Sequence, residues 1–268
     1  MTRPVRLGAV DYLNVRPLVD GLDARPDLVS LRFDVPSECA RLLAAGAIDL
    51  GMVPSITLAD RPDDRVVPGV CIGSDGPVAS VALFTRVPVR TIRRMALDTS
   101  SRTSACLVKI LCARRFEIAP AFAPAQPDLG AMLADADAAL VIGDPALFVD
   151  HRAHGAEKID LGQEWTEMTS LPFVWAFWSG RPDAADDEVV ALLQAAATQG
   201  MTRTDAIADA YVVASPERAA IARRYLRESL VFQLSPRALE GLRAYYREAA
   251  ALGLIVSAPE VKFFGVAS

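Results

Sequence analysis

The sequence predicts an α/β protein of two lobes, with mainly parallel sheets and a helical C-terminal segment. Short apolar strand candidates alternate with helical patterns in two successive series, which is typical of α/β architecture. The second series begins near Val87, and beyond Pro182 the pattern is helical throughout. A chain of 268 residues is long enough for two such lobes.

The first series supplies the strands of the first lobe. These strands are short apolar or alternating runs between turn residues, at 5–10, 31–35, 48–53, 66–72 and 79–84. A short helix is expected from Pro36, because proline suits the first turn of a helix, to the neighbourhood of Gly46.

The second series and the C-terminal segment follow the same signals. Further strands are predicted at 94–98, 118–122, 138–142 and 173–178. Helices are predicted at 103–115, 128–134, 188–198, 202–214, 216–230 and 235–252. Ser215 with Pro216, and Ser235 with Pro236, have the residue types preferred at a helix N-cap and first position.

The division into lobes follows from two predicted crossing strands, near 84–86 and 174–178. The first lobe then consists of residues 1–85 plus 178–268, and the second of residues 86–177. Two strands that link two lobes form a hinge, which can close over a ligand.

Composition and charge exclude several classes of protein. The net charge is −5, and no stripe of lysine and arginine indicates a nucleic-acid partner. No apolar run is long enough to cross a bilayer. The N-terminus has the pattern of a first strand rather than of a signal peptide, so we expect a cytoplasmic protein. The pattern leaves the oligomeric state open.

The four cysteines and the known cofactor motifs give no sign of a metal or cofactor. Cys39, Cys71, Cys106 and Cys112 form no CxxC pair, so buried free thiols are expected. The chain has no Ser-His-Asp arrangement, no dinucleotide-binding glycine motif and no P-loop. A metal, flavin or nicotinamide is therefore not indicated.

A cluster of hydroxyl groups lies between the strand at 94–98 and the following helix. Its members are Thr99, Ser100, Ser101, Thr103 and Ser104. The first amides of a helix lack partners within it, and the helix dipole makes that end partly positive, which suits a carboxylate or phosphate. Ordinary N-capping by one hydroxyl is the alternative.

Three other strand ends carry polar residues, and ligands of α/β sheets bind beyond the carboxyl ends of strands. Asn14 follows the first strand, Ser55 the third, and Asp144 the strand at 138–142. Two of the four strand ends lie in each predicted lobe, so they can face each other across a cleft. An Asx-turn at Asn14 and helix capping at Ser55 and Asp144 remain alternatives.

Six segments together resemble the menaquinone biosynthesis enzymes of the futalosine pathway, and within them the chorismate dehydratases. They are GAVDYLN at 8–14 with RPL at 16–18, IDLGMVPS at 48–55, ALDTSSRTS at 96–104, IGD at 142–144, DLGQEW at 160–165 and LPFVWA at 171–176. The matching segments occur in the right order across nearly the whole chain.

This resemblance implies a type II periplasmic-binding-protein-like fold and a lyase reaction without a cofactor. The substrate would be the dicarboxylate chorismate, and the products 3-[(1-carboxyvinyl)oxy]benzoate and water. Two alternatives remain: 1,4-dihydroxy-6-naphthoate synthase of the same pathway, and a non-catalytic protein that binds a small carboxylate. The synthase has a histidine base at a position where this chain has Gly143, which favours the dehydratase.

The absence of an evident base leads to a hypothesis about the site. The enolpyruvyl carboxylate of the substrate takes the proton, and Asn14 orients this carboxylate and the leaving hydroxyl. Ser55 and Ser80 would contact the ring, while Asp144 would be a further contact. Ser100, Ser101, Thr103 and Ser104 would bind a carboxylate at the helix start.

Overall fold

The computed structural model describes residues 3–98 and 100–265, so Thr99 of the predicted hydroxyl cluster lies outside the described residues. The strands are β1 (Val5–Val10), β2 (Val29–Asp34), β3 (Leu50–Pro54), β4 (Arg65–Val66), β5 (Val70–Ser74), β6 (Val81–Thr85), β7 (Arg94–Asp98), β8 (Ala121–Ala125), β9 (Ala138–Ile142), β10 (Glu157–Asp160), β11 (Phe173–Gly180), β12 (Val231–Gln233) and β13 (Lys262–Phe263).

The α-helices are α1 (Pro36–Ala44), α2 (Arg102–Leu111), α3 (Leu129–Asp135), α4 (Gly143–Phe148), α5 (Leu161–Thr169), α6 (Asp187–Thr202), α7 (Thr204–Tyr211), α8 (Pro216–Arg224) and α9 (Pro236–Ala251). Short π-helical turns at Cys112–Phe116 and Tyr225–Ser229 continue α2 and α8. The helix α5 lies in a segment for which the sequence patterns predict no helix.

The strands form two sheets. The first has the order β12-β5-β11-β3-β1-β2, with β4 paired to β11 and to β13. The second has the order β10-β6-β9-β7-β8. The described residues therefore confirm a mixed α/β fold with two sheets.

Both sheets are mixed rather than mainly parallel, which differs from the prediction. Strands β1, β2 and β3 pair in parallel, as do β7, β8 and β9. Strand β11 pairs antiparallel with β3 and β5, and β6 pairs antiparallel with β9 and β10. The strands β6 and β11 enter their sheets directly after the chain has passed from the other sheet. Periodicity along the sequence does not report such a change of direction.

The chain passes between the two sheets at residues 75–80 and 161–172. The first passage is a loop, and the second consists of α5 and a short turn. Residues 81–85, which the predicted boundary assigns to the first lobe, form a strand of the second sheet, and all of β11 belongs to the first sheet. The division into two lobes that move about a hinge stays a prediction.

A buried aromatic cluster joins α9 to the strand β11 and helix α5. The rings of Phe173 and Tyr245 are 4.9 Å apart, edge to face, and Trp165 lies 5.3 Å from Phe173. Trp165, Tyr245 and Tyr246 are fully buried. Aromatic pairs in this geometry contribute more than their buried area alone. The C-terminal helix α9 is therefore part of the core that supports both sheets.

Two further sequence predictions concern thiols and membranes. All four cysteines are buried and free, as predicted. Among the described helices, none has the length and apolar composition needed to cross a membrane.

Candidate functional site

A cavity lies between the two sheets at the carboxyl ends of their parallel strands. Val10 at the end of β1 and Pro54 at the end of β3 line one side, and Ile142 at the end of β9 lines the other. The space not filled by atoms there, open solvent included, is about 570 Å³. The polar strand ends predicted from the sequence therefore surround one cavity.

The start of helix α2 supplies polar hydroxyl groups to this cavity. Ser101 is the N-cap residue, and its Oγ accepts a hydrogen bond from the Ser104 amide at 3.2 Å. The Ser101 hydroxyl also donates to Ser104 Oγ at 2.9 Å. Both side chains line the cavity. The partly positive end of a ten-residue helix therefore faces the space in which a ligand would lie.

Asn14 brings a free polar atom to the same cavity. Its Oδ1 is buried and has no hydrogen-bond partner among the described residues, although its residue lines the cavity. A buried acceptor without a partner costs free energy, so the Asn14 amide is suited to a ligand that donates to it. Asn14 is also the only asparagine in the sequence, a signal that composition alone could have supplied.

Ser80 lines the cavity and is held by a tyrosine from the C-terminal helices. Ser80 Oγ and the Tyr225 hydroxyl are 2.6 Å apart. Tyr225 is buried, and burial raises the pKa of its phenol well above the ordinary value. The neutral phenol can donate to Ser80 and leave the Ser80 hydroxyl free to donate into the cavity.

Tyr12 covers Gly143 at the cavity wall. Gly143 has φ +68°, and a Cβ built on it would lie 2.6 Å from Cε2 of Tyr12. The Gly143 amide donates to the Ser80 carbonyl at 2.7 Å. Two independent features therefore disfavour a side chain at position 143: the left-handed backbone and the Tyr12 ring.

Ser55 and Thr103 are fully buried beside the cavity rather than in its lining. Ser55 Oγ donates to the Val174 carbonyl at 2.8 Å. Thr103 Oγ1 accepts from the Ile56 amide at 3.1 Å. These hydroxyls have protein partners, so they connect α2 of the second sheet to the turn that follows β3.

Ser100 and Asp144 also lie beside the cavity. The amide and hydroxyl of Ser100 both donate to Asp98 Oδ1, at 2.8 and 2.6 Å. Asp144 accepts the Leu13 amide on Oδ1 at 3.2 Å and the Tyr211 hydroxyl on Oδ2. The structure thus brings Asn14, Ser80, Ser101 and Ser104 into one lining, with the other four predicted residues behind it. Whether substrate touches any of the eight stays a prediction.

The lining includes aromatic residues that were not among the predicted site residues. Tyr12 lies within the loop after β1, two residues before Asn14, so its position in sequence was a usable signal. Trp175 is buried in the core, and it also lines the cavity and donates from Nε1 to Ser74 Oγ at 3.2 Å. Tyr225, which contacts Ser80 and is not itself in the lining, comes from a distant helical turn, and no sequence pattern indicates its place.

The lining is almost free of charge. None of the described residues that form it is a lysine, arginine, histidine or carboxylic acid. Arg16 and Arg102, which could bind a substrate carboxylate, pair instead with Asp11 and Asp60. Across residues 3–98 and 100–265, no group of three or more acidic, cysteine or histidine side chains is placed to hold a metal ion. Anion binding in this cavity would rest on hydroxyls, amides and the helix dipole.

Comparison with known proteins assigns the chain to a family. A family model described as menaquinone biosynthesis matches residues 5–251. The chain belongs to this menaquinone biosynthesis family. Among its relatives is the chorismate dehydratase of Thermus thermophilus, which is 31% identical over 225 residues, or 78% of this chain and 82% of the relative.

Solved structures show the fold of this member of the menaquinone biosynthesis family. A protein of Archaeoglobus fulgidus superposes with a TM-score of 0.75 at 15% identity, over 95% of this chain and 99% of that one. The periplasmic aliphatic sulphonate binding protein of Escherichia coli gives 0.69 at 15% identity, over 100% and 96% of the two chains. The predicted periplasmic-binding-protein-like fold is confirmed.

Proposed function

We propose that this protein is a chorismate dehydratase, which converts chorismate to 3-[(1-carboxyvinyl)oxy]benzoate and water. The observation that carries the proposal is the 31% identity to the Thermus thermophilus enzyme over most of both chains. The uncharged cavity with its hydroxyl-rich helix start supports it, because the substrate is a small dicarboxylate. With this activity, the protein is a carbon–oxygen lyase of menaquinone biosynthesis.

The reaction removes the proton at C3 of chorismate and the hydroxyl at C4. Loss of the C3 proton leaves an anion that is delocalised over the diene toward the ring carboxylate. Departure of the C4 hydroxyl with that proton gives one water molecule and an aromatic ring. Because aromatisation supplies much of the driving force, the protein mainly has to bind two carboxylates and hold one conformer.

The start of α2 is the proposed site for one substrate carboxylate. The hydroxyls of Ser101 and Ser104 line the cavity there, beside helix amides that have no partners within the helix. Fixed donors aimed at a developing negative charge stabilise it in a site of low polarity. The carboxylate that takes up charge in the anion is therefore placed at this helix end.

Asn14 is the proposed catalytic residue. Its unpartnered Oδ1 would accept a hydrogen bond from the C4 hydroxyl and so orient it, while its amide nitrogen donates to the enolpyruvyl carboxylate. That carboxylate is the proposed proton acceptor, because the cavity lining contains no basic side chain among the described residues. The Ser80 hydroxyl, held by Tyr225, would contact the ring from the other side.

The 1,4-dihydroxy-6-naphthoate synthase alternative is disfavoured at Gly143. The resemblance places a histidine base of that enzyme at this position. Here the backbone is left-handed, and the Tyr12 ring occupies the space of the first side-chain atom. A cytoplasmic location and chorismate as the small-molecule partner remain part of the proposal.

The test is incubation of the purified protein with chorismate alone, with the product followed by liquid chromatography and mass detection. Catalytic formation of 3-[(1-carboxyvinyl)oxy]benzoate is the expected result. Chorismate that binds one to one but stays intact would indicate a binding protein. If the protein neither converts nor binds chorismate, the proposal is overturned. The cyclic futalosine derivative is then the next substrate to test.

The role of Asn14 has its own test. Asn14→Ala should lower kcat by about 10²-fold, the loss typical for one well-placed polar group in an active site. Gln194→Ala is a matched control, since this amide donates to the Pro68 carbonyl and is not in the cavity lining. Unchanged turnover of the Asn14 variant would contradict the role.

A further inference from the structure

We propose that Asp144 and Tyr211 are positioning residues that clasp the two halves of the molecule, one built around each sheet, over the cavity and hold the turn that carries Asn14. This inference rests on the proposed function for its kinetic consequence but not for its geometry. It gives Asp144 a different role from the substrate contact expected from the sequence.

Both oxygens of the Asp144 carboxylate are occupied by donors from the other half of the molecule. Asp144 is in α4, directly after strand β9 of the second sheet. The Leu13 amide, in the turn after β1 of the first sheet, donates to Oδ1 at 3.2 Å. The Tyr211 hydroxyl, at the end of α7, donates to Oδ2. One carboxylate thereby joins three separate segments.

The contact with Leu13 fixes a residue next to Asn14. Asn14 follows Leu13 in the same turn, and Gly143, which precedes Asp144, lines the cavity together with Asn14. A shift of the Asp144 side chain would therefore move the Asn14 amide relative to the cavity wall. Such displacements are costly to turnover, because a catalytic group must lie close to its productive geometry.

Tyr211 is itself held on its other side. The Arg16 guanidinium lies 5.3 Å from the centre of the Tyr211 ring and 4.4 Å from that of Phe33. Arg16 also pairs with Asp11. Burial raises the pKa of Asp144, and the hydrogen bonds from Tyr211 and Leu13 and the charge of Arg16 oppose this rise. Burial and the neighbouring Asp144 carboxylate raise the pKa of the Tyr211 phenol, so the phenol is the donor in this contact.

The position of this clasp differs from that of a second contact between the halves. Thr103 and Ile56 meet in the fully buried region behind the cavity. Asp144 and Tyr211 are only partly buried. Opening for substrate entry would therefore break the Asp144 contacts and leave the Thr103 contact intact, since the former can be exposed to water at lower cost.

The clasp can be tested with Tyr211→Phe, Asp144→Asn and the double variant. Tyr211→Phe removes only the hydroxyl and leaves the ring on Arg16. With chorismate, both single variants should lose about tenfold in kcat with KM within about twofold of the wild-type value. The kcat of the double variant should be no lower than that of the less active single variant, because both substitutions remove the same contact. Asp205→Asn, which removes an exposed charge at the other end of α7, should leave kcat unchanged.

A second measurement needs no substrate. Hydrogen exchange followed by mass spectrometry should show faster exchange for peptides covering residues 11–20 in both variants, with α9 unchanged. A raised KM for Asp144→Asn with an unaffected Tyr211→Phe would overturn the proposal and make Asp144 a substrate ligand. Unchanged exchange at 11–20, or faster exchange everywhere, would also overturn it. If the protein does not turn over chorismate, the proposed function fails, while the exchange result still decides the clasp.

Discussion

Ser55 Oγ lies 3.4 Å from Thr103 Oγ1, and both side chains are fully buried where the two halves of the molecule meet. Thr103 Oγ1 also accepts the Ile56 amide, and the Tyr245 hydroxyl donates to the Thr103 carbonyl at 3.1 Å. The residue types that suggest a ligand in the sequence therefore also join the second sheet to the first. Hydroxyl groups serve both purposes because they donate and accept in a small volume.

Thr103→Val should lower the free energy of unfolding by about 1–3 kcal/mol, because the buried Ile56 amide loses its acceptor while the shape of the side chain is kept. Urea unfolding measures this loss. The matched control is Thr57→Val in the neighbouring turn. The Thr57 hydroxyl is buried and has no partner among the described residues, so its removal should not destabilise the protein. Equal losses of unfolding free energy in the two variants would contradict a stabilising role for the hydrogen bond between Thr103 and the Ile56 amide.

Ser101→Asp separates the stability of α2 from its proposed anion site. Aspartate caps helices about as well as serine and favours the positive helix end, so the unfolding temperature should stay near the wild-type value. A carboxylate in the cavity should repel the substrate carboxylate, and KM for chorismate should rise by about tenfold or more. Ser101→Ala is the complementary variant, expected to lose about 0.5–2 kcal/mol of stability. An unchanged KM in Ser101→Asp would show that the substrate carboxylate does not bind at the start of α2.

Gly143→Ala should be destabilising for two reasons, the left-handed backbone and the Tyr12 ring. Gly155→Ala isolates the first reason, because Gly155 has φ +63° and nothing within 4 Å of an added Cβ. The difference between the two variants should be about 1–3 kcal/mol, the usual cost of overpacking. Chemical denaturation of both variants measures it. Equal destabilisation would show that Tyr12 moves away without cost.

The cysteine thiols should be unreactive in the native protein. Burial raises the pKa of Cys39, Cys71 and Cys112 to about 12, and it also raises the pKa of Cys106. Since the thiolate is the reactive form, Ellman's reagent at about pH 8 should react slowly with the folded protein. In guanidinium chloride all four should react at once. Rapid reaction of a thiol in the folded protein would contradict its burial.

The sequence predicted the fold well wherever a local signal was sufficient. The end of β7, the Ser101 cap and the start of α2 form a continuous local pattern, and the structure confirms it. The positions of β6 and β11 were harder, since a strand that joins a different sheet has the same apolar pattern as one that stays. The helix α5 was not predicted because it has only nine residues. Its buried side, which includes Trp165, is too short to give a recognisable helical pattern of apolar residues.

The sequence by itself determined the α/β class, the polar strand ends, the hydroxyl-rich helix start and the family resemblance, because each depends on neighbours along the chain. Only the tertiary structure decided which of these polar residues share a cavity. Ser80 meets Tyr225, and Asp144 meets Leu13 and Tyr211, across long separations in sequence. Contacts of this kind depend on how sheets and helices pack in three dimensions, and no local pattern encodes them.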